Sequence, residues 1–235
     1  MKRNQLLIAQ KVGGRAGYRL SGAAQDILSD GDKRIYRQFD PGAEEWVVAL
    51  FSVPESERNR RYQIKSRLER LGFGQGPTGS WFAPAAVLPE TERSLRRGQL
   101  SHYVTLWVGT HVGFGDLADL VVQTWDCDAI HDAYAGYIAD ADRIAERWRG
   151  ASGSDRAAAW VDYLDNLARW RPLPYMDPGL PPRVMPDGWR ADEARDRFAV
   201  IDAMLHPKAM DLYSDVVNAA RAVPGWGHGV EGTRV

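Results

Sequence analysis

Short apolar runs around a glycine turn dominate the first part of the chain. Residues 5–10 are mostly apolar, residues 13–17 are rich in glycine, and residues 18–20 resume an extended pattern. Two such runs around a turn are typical of a β-hairpin. Ser21 then has the side chain of a good N-cap, so we predict a short helix that runs to Leu28.

The central part of the chain alternates between strand-like and helix-like patterns. The run Trp46–Val53 is apolar almost throughout, which predicts a buried strand, and His102–Gly109 predicts a second one. Between them the sequence predicts three elements: a helix from an N-cap at Ser56 to Leu71, a glycine-punctuated hairpin that ends at residues 80–84, and a short helix around Glu90–Arg97. The resulting order, βαββαβ, is that of a ferredoxin-like unit.

From Asp116 onward, apolar residues recur every three or four positions, which is the period of amphipathic helices. The pattern predicts helices over residues 117–125, 130–148, 155–169, 194–205 and 209–220. The proline-rich residues 172–186 predict an extended segment, and residues 225–235 predict a loose tail. The predicted fold class is therefore α+β: a β-hairpin, a ferredoxin-like middle domain and an all-helical C-terminal domain.

Composition narrows the class of protein. The chain has 235 residues, 44% of them hydrophobic and 26% charged, which excludes a wholly disordered protein. Its longest apolar runs, such as Val104–Val108, are far shorter than the roughly 20 residues that cross a bilayer. The apolar stretch near the N-terminus is too short for a secretory signal. Cys127 is the only cysteine, so neither an intrachain disulfide nor a cysteine-based zinc site can form, and we expect a cytoplasmic protein.

Charge is distributed unevenly, although the formal net charge is only −1. Residues 1–37 contain eight Lys or Arg and three Asp or Glu, whereas the remaining residues contain 22 and 28. A basic N-terminal part on an acidic body indicates an anionic partner for that end. On charge alone, a solvated surface is the simpler interpretation.

One cluster of residues has the composition of a catalytic site. Cys127 and His131 are four positions apart and would share a helix face, where an imidazole could activate a thiol. Asp126 and Asp128, however, are ideal residues for the start of a helix, and we favour a capping role for this cluster.

Two other motifs invite interpretation as enzyme sites. Glu55 follows the first strand and could bind a metal, but no second acid has a matching context, so we expect it to start a helix or to pair with Arg58 or Arg61. The glycines of residues 72–76 lie after a helix and before a hairpin, which favours turns over a phosphate-binding loop. The histidines lack metal-ligand spacing. We therefore predict no metal, no cofactor and no enzymatic activity.

Three stretches of sequence carry a family resemblance. They are WVVALFSVPE at residues 46–55 with Arg58, Arg60 and Arg61 after it, LGFG at residues 71–74 with GSWFAP at residues 79–84, and WRPLP at residues 170–174 with DPGLP at residues 177–181 and MPDGW at residues 185–189. In this order and spacing they resemble the PaaX family of bacterial transcriptional repressors, named for the phenylacetic acid catabolic operon. The resemblance covers roughly residues 1–206.

The resemblance implies three parts: a winged helix-turn-helix whose wing is a β-hairpin, a middle domain similar to small CRISPR-associated nucleases, and a helical C-terminal domain. It also implies a dimeric repressor whose operator binding is relieved by an aryl-CoA thioester such as phenylacetyl-CoA. We accordingly divide the chain into a winged-helix remnant with its linker helix (1–40), the middle domain (41–112), the C-terminal domain (113–224) and a flexible tail (225–235).

The chain departs from the family pattern at its start. The family has helices before the wing, including the recognition helix, and only residues 1–4 could remain of them here. Four residues cannot form a major-groove reader, which needs several helical turns. We favour a start placed at an internal methionine, or a trimmed chain, over a natural loss of DNA binding, because an isolated hairpin has little reason to persist.

The resemblance assigns roles to two groups of residues. If the hairpin is the wing, the DNA-binding residues are Lys2, Arg3, Lys11, Arg15, Tyr18 and Arg19. A CoA thioester needs cations for its phosphates and a flat apolar wall, and the candidates are Arg58, Arg61, Trp81, Trp107, Trp170 and Arg171. It is equally open that these tryptophans form core and the arginines form surface ion pairs.

We therefore predict a repressor of an aromatic or acyl-CoA catabolic operon that binds operator DNA as a homodimer, responds to an acyl-CoA and has no membrane partner. Two alternatives stay open: a metal-dependent nuclease that uses Glu55, and a dimerisation module without DNA binding. Cleavage of nucleic acid that depends on Glu55 would favour the nuclease.

Overall fold

A computed structural model of the chain describes residues 6–12, 15–36, 44–76, 79–150 and 155–222. Within these ranges, no helix is long and apolar enough to cross a membrane.

A hairpin and a single helix form the first part of the molecule. Its elements are β1 (Leu7–Val12), β2 (Arg15–Leu20) and α1 (Gly22–Ile35). Ser21 caps α1 as predicted, because its hydroxyl accepts a hydrogen bond from the N–H of Ala24 at 3.1 Å. The helix does not end near Leu28 as predicted, since Asp30, Arg34 and Ile35 continue it and are buried. Residues 1–5 lie outside the described ranges, so the winged-helix assignment stays a prediction.

The middle part is a four-stranded sheet with two helices. Its elements are β3 (Glu45–Phe51), α2 (Arg58–Arg70), β4 (Gly74–Gln75), β5 (Trp81–Pro84), α3 (Leu88–Arg97) and β6 (Val104–Thr110). The strands are ordered β4-β5-β3-β6 and every neighbouring pair is antiparallel. This is the topology of the predicted βαββαβ unit.

Alternation along β3 divides the core into two clusters. Val47 and Ala49 are fully buried and pack with Ile64 and Leu68 under α2 and α3. Trp46, one residue earlier, belongs to the other cluster, which extends into the C-terminal helices. The sheet therefore has one face covered by its own helices and one face turned towards the C-terminal part.

The start of α2 differs from the prediction. A single 3-10 turn spans Glu55–Glu57, α2 begins at Arg58, and Ser56 makes no capping hydrogen bond. The predicted N-cap at Ser56 is therefore wrong. Pro54 sets the backbone direction before this turn, so the chain enters the helix without a side-chain cap.

The C-terminal part is helical, as predicted. Its helices are α4 (Leu117–Thr124), α5 (Cys127–Trp148), α6 (Arg156–Trp170), α7 (Leu173–Met176) and α8 (Ala191–Ala222). Two details were predicted wrongly. The proline-rich segment is not wholly extended, because it contains α7 and a 3-10 turn at Pro182–Val184. The last two predicted helices are one helix, α8.

Pro207 lies inside α8 without ending it. A proline in a helix interior costs about 3 kcal/mol, because it removes a hydrogen bond and crowds the preceding turn. Leu205 and Ala209, on either side of Pro207, are fully buried against the other helices. Packing on both sides of the proline therefore holds the helix together.

Candidate functional site

The hairpin carries the described residues that were predicted to bind DNA. In the strand register, Lys11 and Tyr18 belong to one face of the hairpin and Arg19 belongs to the other. All three side chains are exposed. The remaining candidates lie outside what the structure describes: Lys2, Arg3 and the side chain of Arg15. The hairpin thus presents an exposed cation on each face.

Arg34 fastens the hairpin's helix to the rest of the molecule. Its side chain is only 1% exposed. Its guanidinium donates to the carbonyl of Pro174 at 2.8 Å, to Glu90 Oε2 at 3.1 Å and to the carbonyl of Leu71 at 3.0 Å, and it lies 4.6 Å from the ring centre of Tyr175. Pro174 and Tyr175 belong to the C-terminal part, whereas Leu71 and Glu90 belong to the middle part. One buried cation therefore joins all three parts of the chain.

Burial lowers the pKa of Arg34, and the negative charge of Glu90 opposes that shift. Further contacts support this junction. Trp170 donates its indole N–H to the carbonyl of Ile35 at 2.9 Å. Asp30, which is 8% exposed at its side chain, pairs with Arg93 at 2.8 Å and with Arg97 at 3.0 Å. The C-terminal half of α1 is therefore held on two sides.

The six residues predicted to bind an effector do not converge on one pocket. Trp81 is buried in the core beneath α2 and α3, and Trp170 is buried against the end of α1. Trp107 lies on the opposite face of the sheet from Trp81. The three arginines are dispersed over two helix ends: Arg58 and Arg61 at the start of α2, and Arg171 after α6. The prediction that these six residues form one pocket is therefore wrong.

Trp107 instead lines an open groove between the sheet and α4, which we call the Trp107 groove. The side chain is 63% exposed. The groove has a volume of about 370 Å³. Its principal walls are Trp46, Val48, Phe82 and Trp107 from the sheet, Leu117 and Leu120 from α4, and His111 and Val112 from the loop between them. Sequence reasoning missed most of these residues, although the alternation of Trp46 with Val48 could have indicated a second apolar face.

The floor of the Trp107 groove is aromatic and fixed. Phe82 meets Trp125 edge to face at 5.2 Å between ring centres, and Trp46 lies 5.8 Å from Phe82. The indole N–H of Trp46 is buried and has no hydrogen-bond acceptor among the described residues. A buried donor without an acceptor is costly to the fold. The aromatic and aliphatic walls of the groove suit a flat apolar group.

The cysteine cluster has the favoured capping arrangement. Asp126 Oδ1 accepts a hydrogen bond from the N–H of Ala129 at 3.0 Å and so caps α5. Burial raises the pKa of the Cys127 thiol, and the negative charges of Asp128 and Asp177 raise it further. A raised pKa favours the neutral thiol, which is the opposite of what a nucleophile needs.

Glu55 lies at an exposed position. Its side chain is 81% exposed and its nearest ion-pair partner is Arg61 at 3.9 Å. Within the described ranges, no group of three or more His, Cys, Asp or Glu side chains is arranged to hold a metal ion.

Comparison with protein families identifies both the sheet and the C-terminal helices. Residues 40–121 match the PaaX protein central Cas2-like domain, and residues 125–215 match the PaaX-like protein C-terminal domain. The chain belongs to the PaaX family. In family terms, the Trp107 groove lies within the Cas2-like domain, and Arg34 joins that domain to the PaaX C-terminal domain.

Similarity outside the family models is limited to fold. An uncharacterized protein of Mycobacterium tuberculosis, Rv0674, has a similar structure with a TM-score of 0.53 and 16% sequence identity, over 89% of this chain and 79% of that chain. No curated protein matches the sequence. The fold is therefore shared with a solved structure whose name gives no function.

Proposed function

We propose that this PaaX-family chain is a transcriptional repressor of an operon for the catabolism of phenylacetic acid or a related aromatic acid. It acts as a homodimer, and an aryl-CoA thioester relieves its binding to operator DNA. One observation carries the proposal: an exposed basic hairpin is fastened by Arg34 to both domains that define the family. A conformational change in either domain would therefore alter the position of the hairpin.

The Trp107 groove binds the aryl end of the effector in this proposal. The aryl ring packs against Trp107 and Phe82. Among the described residues, none of the groove walls is Lys or Arg, so the CoA phosphates extend beyond it. Of the six residues predicted from the sequence, only Trp107 keeps this role. The described residues give no support to the nuclease alternative, because Glu55 is exposed and its nearest partner is Arg61.

The test is an electrophoretic shift of DNA from upstream of the gene and its neighbours, with phenylacetyl-CoA, coenzyme A or phenylacetate added. We expect phenylacetyl-CoA to release the DNA. Coenzyme A or phenylacetate alone should release far less of it. Unchanged binding with every aryl-CoA tried would remove the sensing role.

A substitution locates the effector. Trp107→Ala should weaken the response to phenylacetyl-CoA by about tenfold, because it removes one wall of the groove. DNA binding without effector should stay the same. Tyr213→Ala, which removes an exposed aromatic ring from α8, is the matched control and should leave the response unchanged. An equal loss in both variants would place the effector elsewhere.

A further inference from the structure

Helix α2, which covers the sheet together with α3, is strongly basic, although the chain as a whole is not. Helix α2 contains six Lys or Arg and one Glu, and α3 contains three Arg and two Glu. Ile64 and Leu68 point into the core and are fully buried. Most charged side chains of α2 therefore lie away from the core, and we call this surface of α2 the basic face. The three arginines of α3 are paired with Asp30 or Glu92.

Most cations of α2 have no carboxylate to neutralise them. Among the described residues, no Asp or Glu lies within 4.0 Å of five of them: Arg58, Arg60, Lys65, Arg67 and Arg70. Some of them bond to neutral oxygens instead. Arg60 donates to the amide of Gln63 at 3.3 Å, and Arg70 donates to the carbonyl of Ser66 at 3.0 Å. Neutral acceptors fix the side chains but leave their positive charge in place.

Three guanidinium groups gather where α2 meets α3. Arg67 donates to the carbonyl of Ser94 at 3.0 Å and to its hydroxyl at 3.2 Å. Its guanidinium occupies the space beside Gly98, where a Cβ would approach to 2.7 Å. Burial lowers the pKa of Arg67, and the positive charges of Arg70 and Arg97 lower it further. Asp30 neutralises Arg97, so among the described residues Arg67 and Arg70 are the cations without an ion-pair partner here.

The extent of the basic face favours a polymer over a small ligand. The 13 residues of α2 span about 20 Å at 1.5 Å per residue, and cations occur from its first residue to its last. One strand of duplex DNA carries a phosphate about every 3.4 Å along its axis, so this length faces several phosphates. Tyr62, exposed among these cations, adds a hydroxyl of the kind that contacts phosphate.

We propose that the basic face of α2 binds the sugar–phosphate backbone of duplex DNA, as a contact separate from the hairpin. The inference rests on the proposed function, since it supposes that the chain works on DNA. Asp30 joins α1 to α3, and Arg67 joins α3 to α2, so the hairpin's helix and the basic face are attached to each other. The contact adds affinity without sequence preference.

The test is fluorescence anisotropy of the full chain with a labelled duplex of arbitrary sequence, between about 50 and 200 mM salt. The triple variant Arg58→Gln, Lys65→Gln, Arg70→Gln removes three cations of α2, of which Arg58 and Arg70 are exposed and Lys65 is half-buried. It should lower affinity roughly tenfold or more at low salt and reduce the slope of log K against log salt by about 2 to 3. Changing Arg58 and Arg70 to Lys instead keeps the charges and should preserve the slope.

A matched control removes equal charge elsewhere. Arg143→Gln, Arg149→Gln, Arg156→Gln together take three exposed arginines from α5, its C-cap and α6, and should leave the slope unchanged. A second variant, Lys11→Gln with Arg19→Gln, reports on the hairpin. If the hairpin variant weakens binding and the α2 variant does not, the basic-face proposal is wrong and the proposed function stands. If the unmodified chain binds no DNA at any salt concentration, both are wrong.

Discussion

The arginines of α2 and those of the C-terminal part differ in their partners. Within the described residues, nine arginines of the C-terminal part have a carboxylate within ion-pair distance: Arg143, Arg147, Arg149, Arg156, Arg169, Arg183, Arg190, Arg195 and Arg197. Acidic residues outnumber basic ones there, so the arginines serve to neutralise neighbours. In α2 the balance is reversed, and five of its six cations have no carboxylate within ion-pair distance among the described residues. Positive charge indicates a partner only where the fold has not already matched it.

Arg34 differs from the arginines of both regions, because its charge is paired with Glu90 in the interior of the protein. Arg34→Met should destabilise the chain by about 3 to 5 kcal/mol, because it leaves Glu90 and two buried carbonyls without their donor. Urea denaturation followed by circular dichroism measures the change. Lys33→Met, at the exposed neighbouring position of α1, should change stability by less than about 0.5 kcal/mol. Equal effects would mean that the junction contributes nothing of its own.

Asp177 contrasts with Arg34, because it is a buried acid whose hydrogen bonds come from neutral donors. Its carboxylate accepts the N–H groups of Gly179 and Leu180 at 2.8 and 2.9 Å and the hydroxyl of Tyr134 at 3.0 Å. Burial raises the pKa of Asp177 in spite of these hydrogen bonds and of the charge of Arg195. The folded state therefore binds the proton more readily than the unfolded state does.

That sign predicts how stability depends on pH. As the pH rises above the unfolded aspartate value of about 3.9 and through the higher folded value, Asp177 should cost stability progressively. Asp177→Asn should remove this part of the pH dependence, and Tyr134→Phe should enlarge it, because the hydroxyl favours the charged form. Urea denaturation across this pH range would measure both. A profile unaltered by Asp177→Asn would show that the carboxylate does not titrate there.

The smallest predicted effect concerns two exposed arginines. Arg70 has no ion-pair partner among the described residues, whereas Arg143 pairs with Asp140. At low salt, Arg70→Gln should change stability by less than about 0.3 kcal/mol, since relief of the repulsion of Arg67 is offset by the loss of a cation from the last turn of α2. Arg143→Gln should destabilise the chain by a few tenths of a kcal/mol, since it loses the pair with Asp140. Thermal unfolding at low and high salt measures both, and the effect of Arg143→Gln should shrink as salt screens it. Equal destabilisation by both changes at low salt would contradict the comparison.

Local signals in the sequence predicted the elements well. The side chains of Ser21 and Asp126 cap helices where their residue types predicted caps, because a cap depends on residues within one turn. The apolar run at Trp46 became β3, and the order of elements gave the correct sheet topology. Such features depend on neighbours in sequence, which the pattern records directly.

Contacts between residues that are distant in sequence could not be predicted from the sequence pattern. Pro207 should have ended a helix, but buried neighbours on both sides maintain it. Trp81 and Trp107 look alike in sequence, yet the strand register places them on opposite faces of the sheet. The predicted effector residues were dispersed for this reason, and the Trp107 groove depends on α4, which is remote from β3 in sequence.

Because α1 is anchored near its C-terminal end, a small rotation there would displace the hairpin at its other end. The helix extends about 18 Å from Arg34 to its first residue, next to the base of the hairpin. A tilt of about 10° at Arg34 would displace that base by roughly 3 Å, comparable to one base-pair step of DNA. A slight rearrangement where the three parts meet would therefore suffice to move the hairpin out of register with a groove.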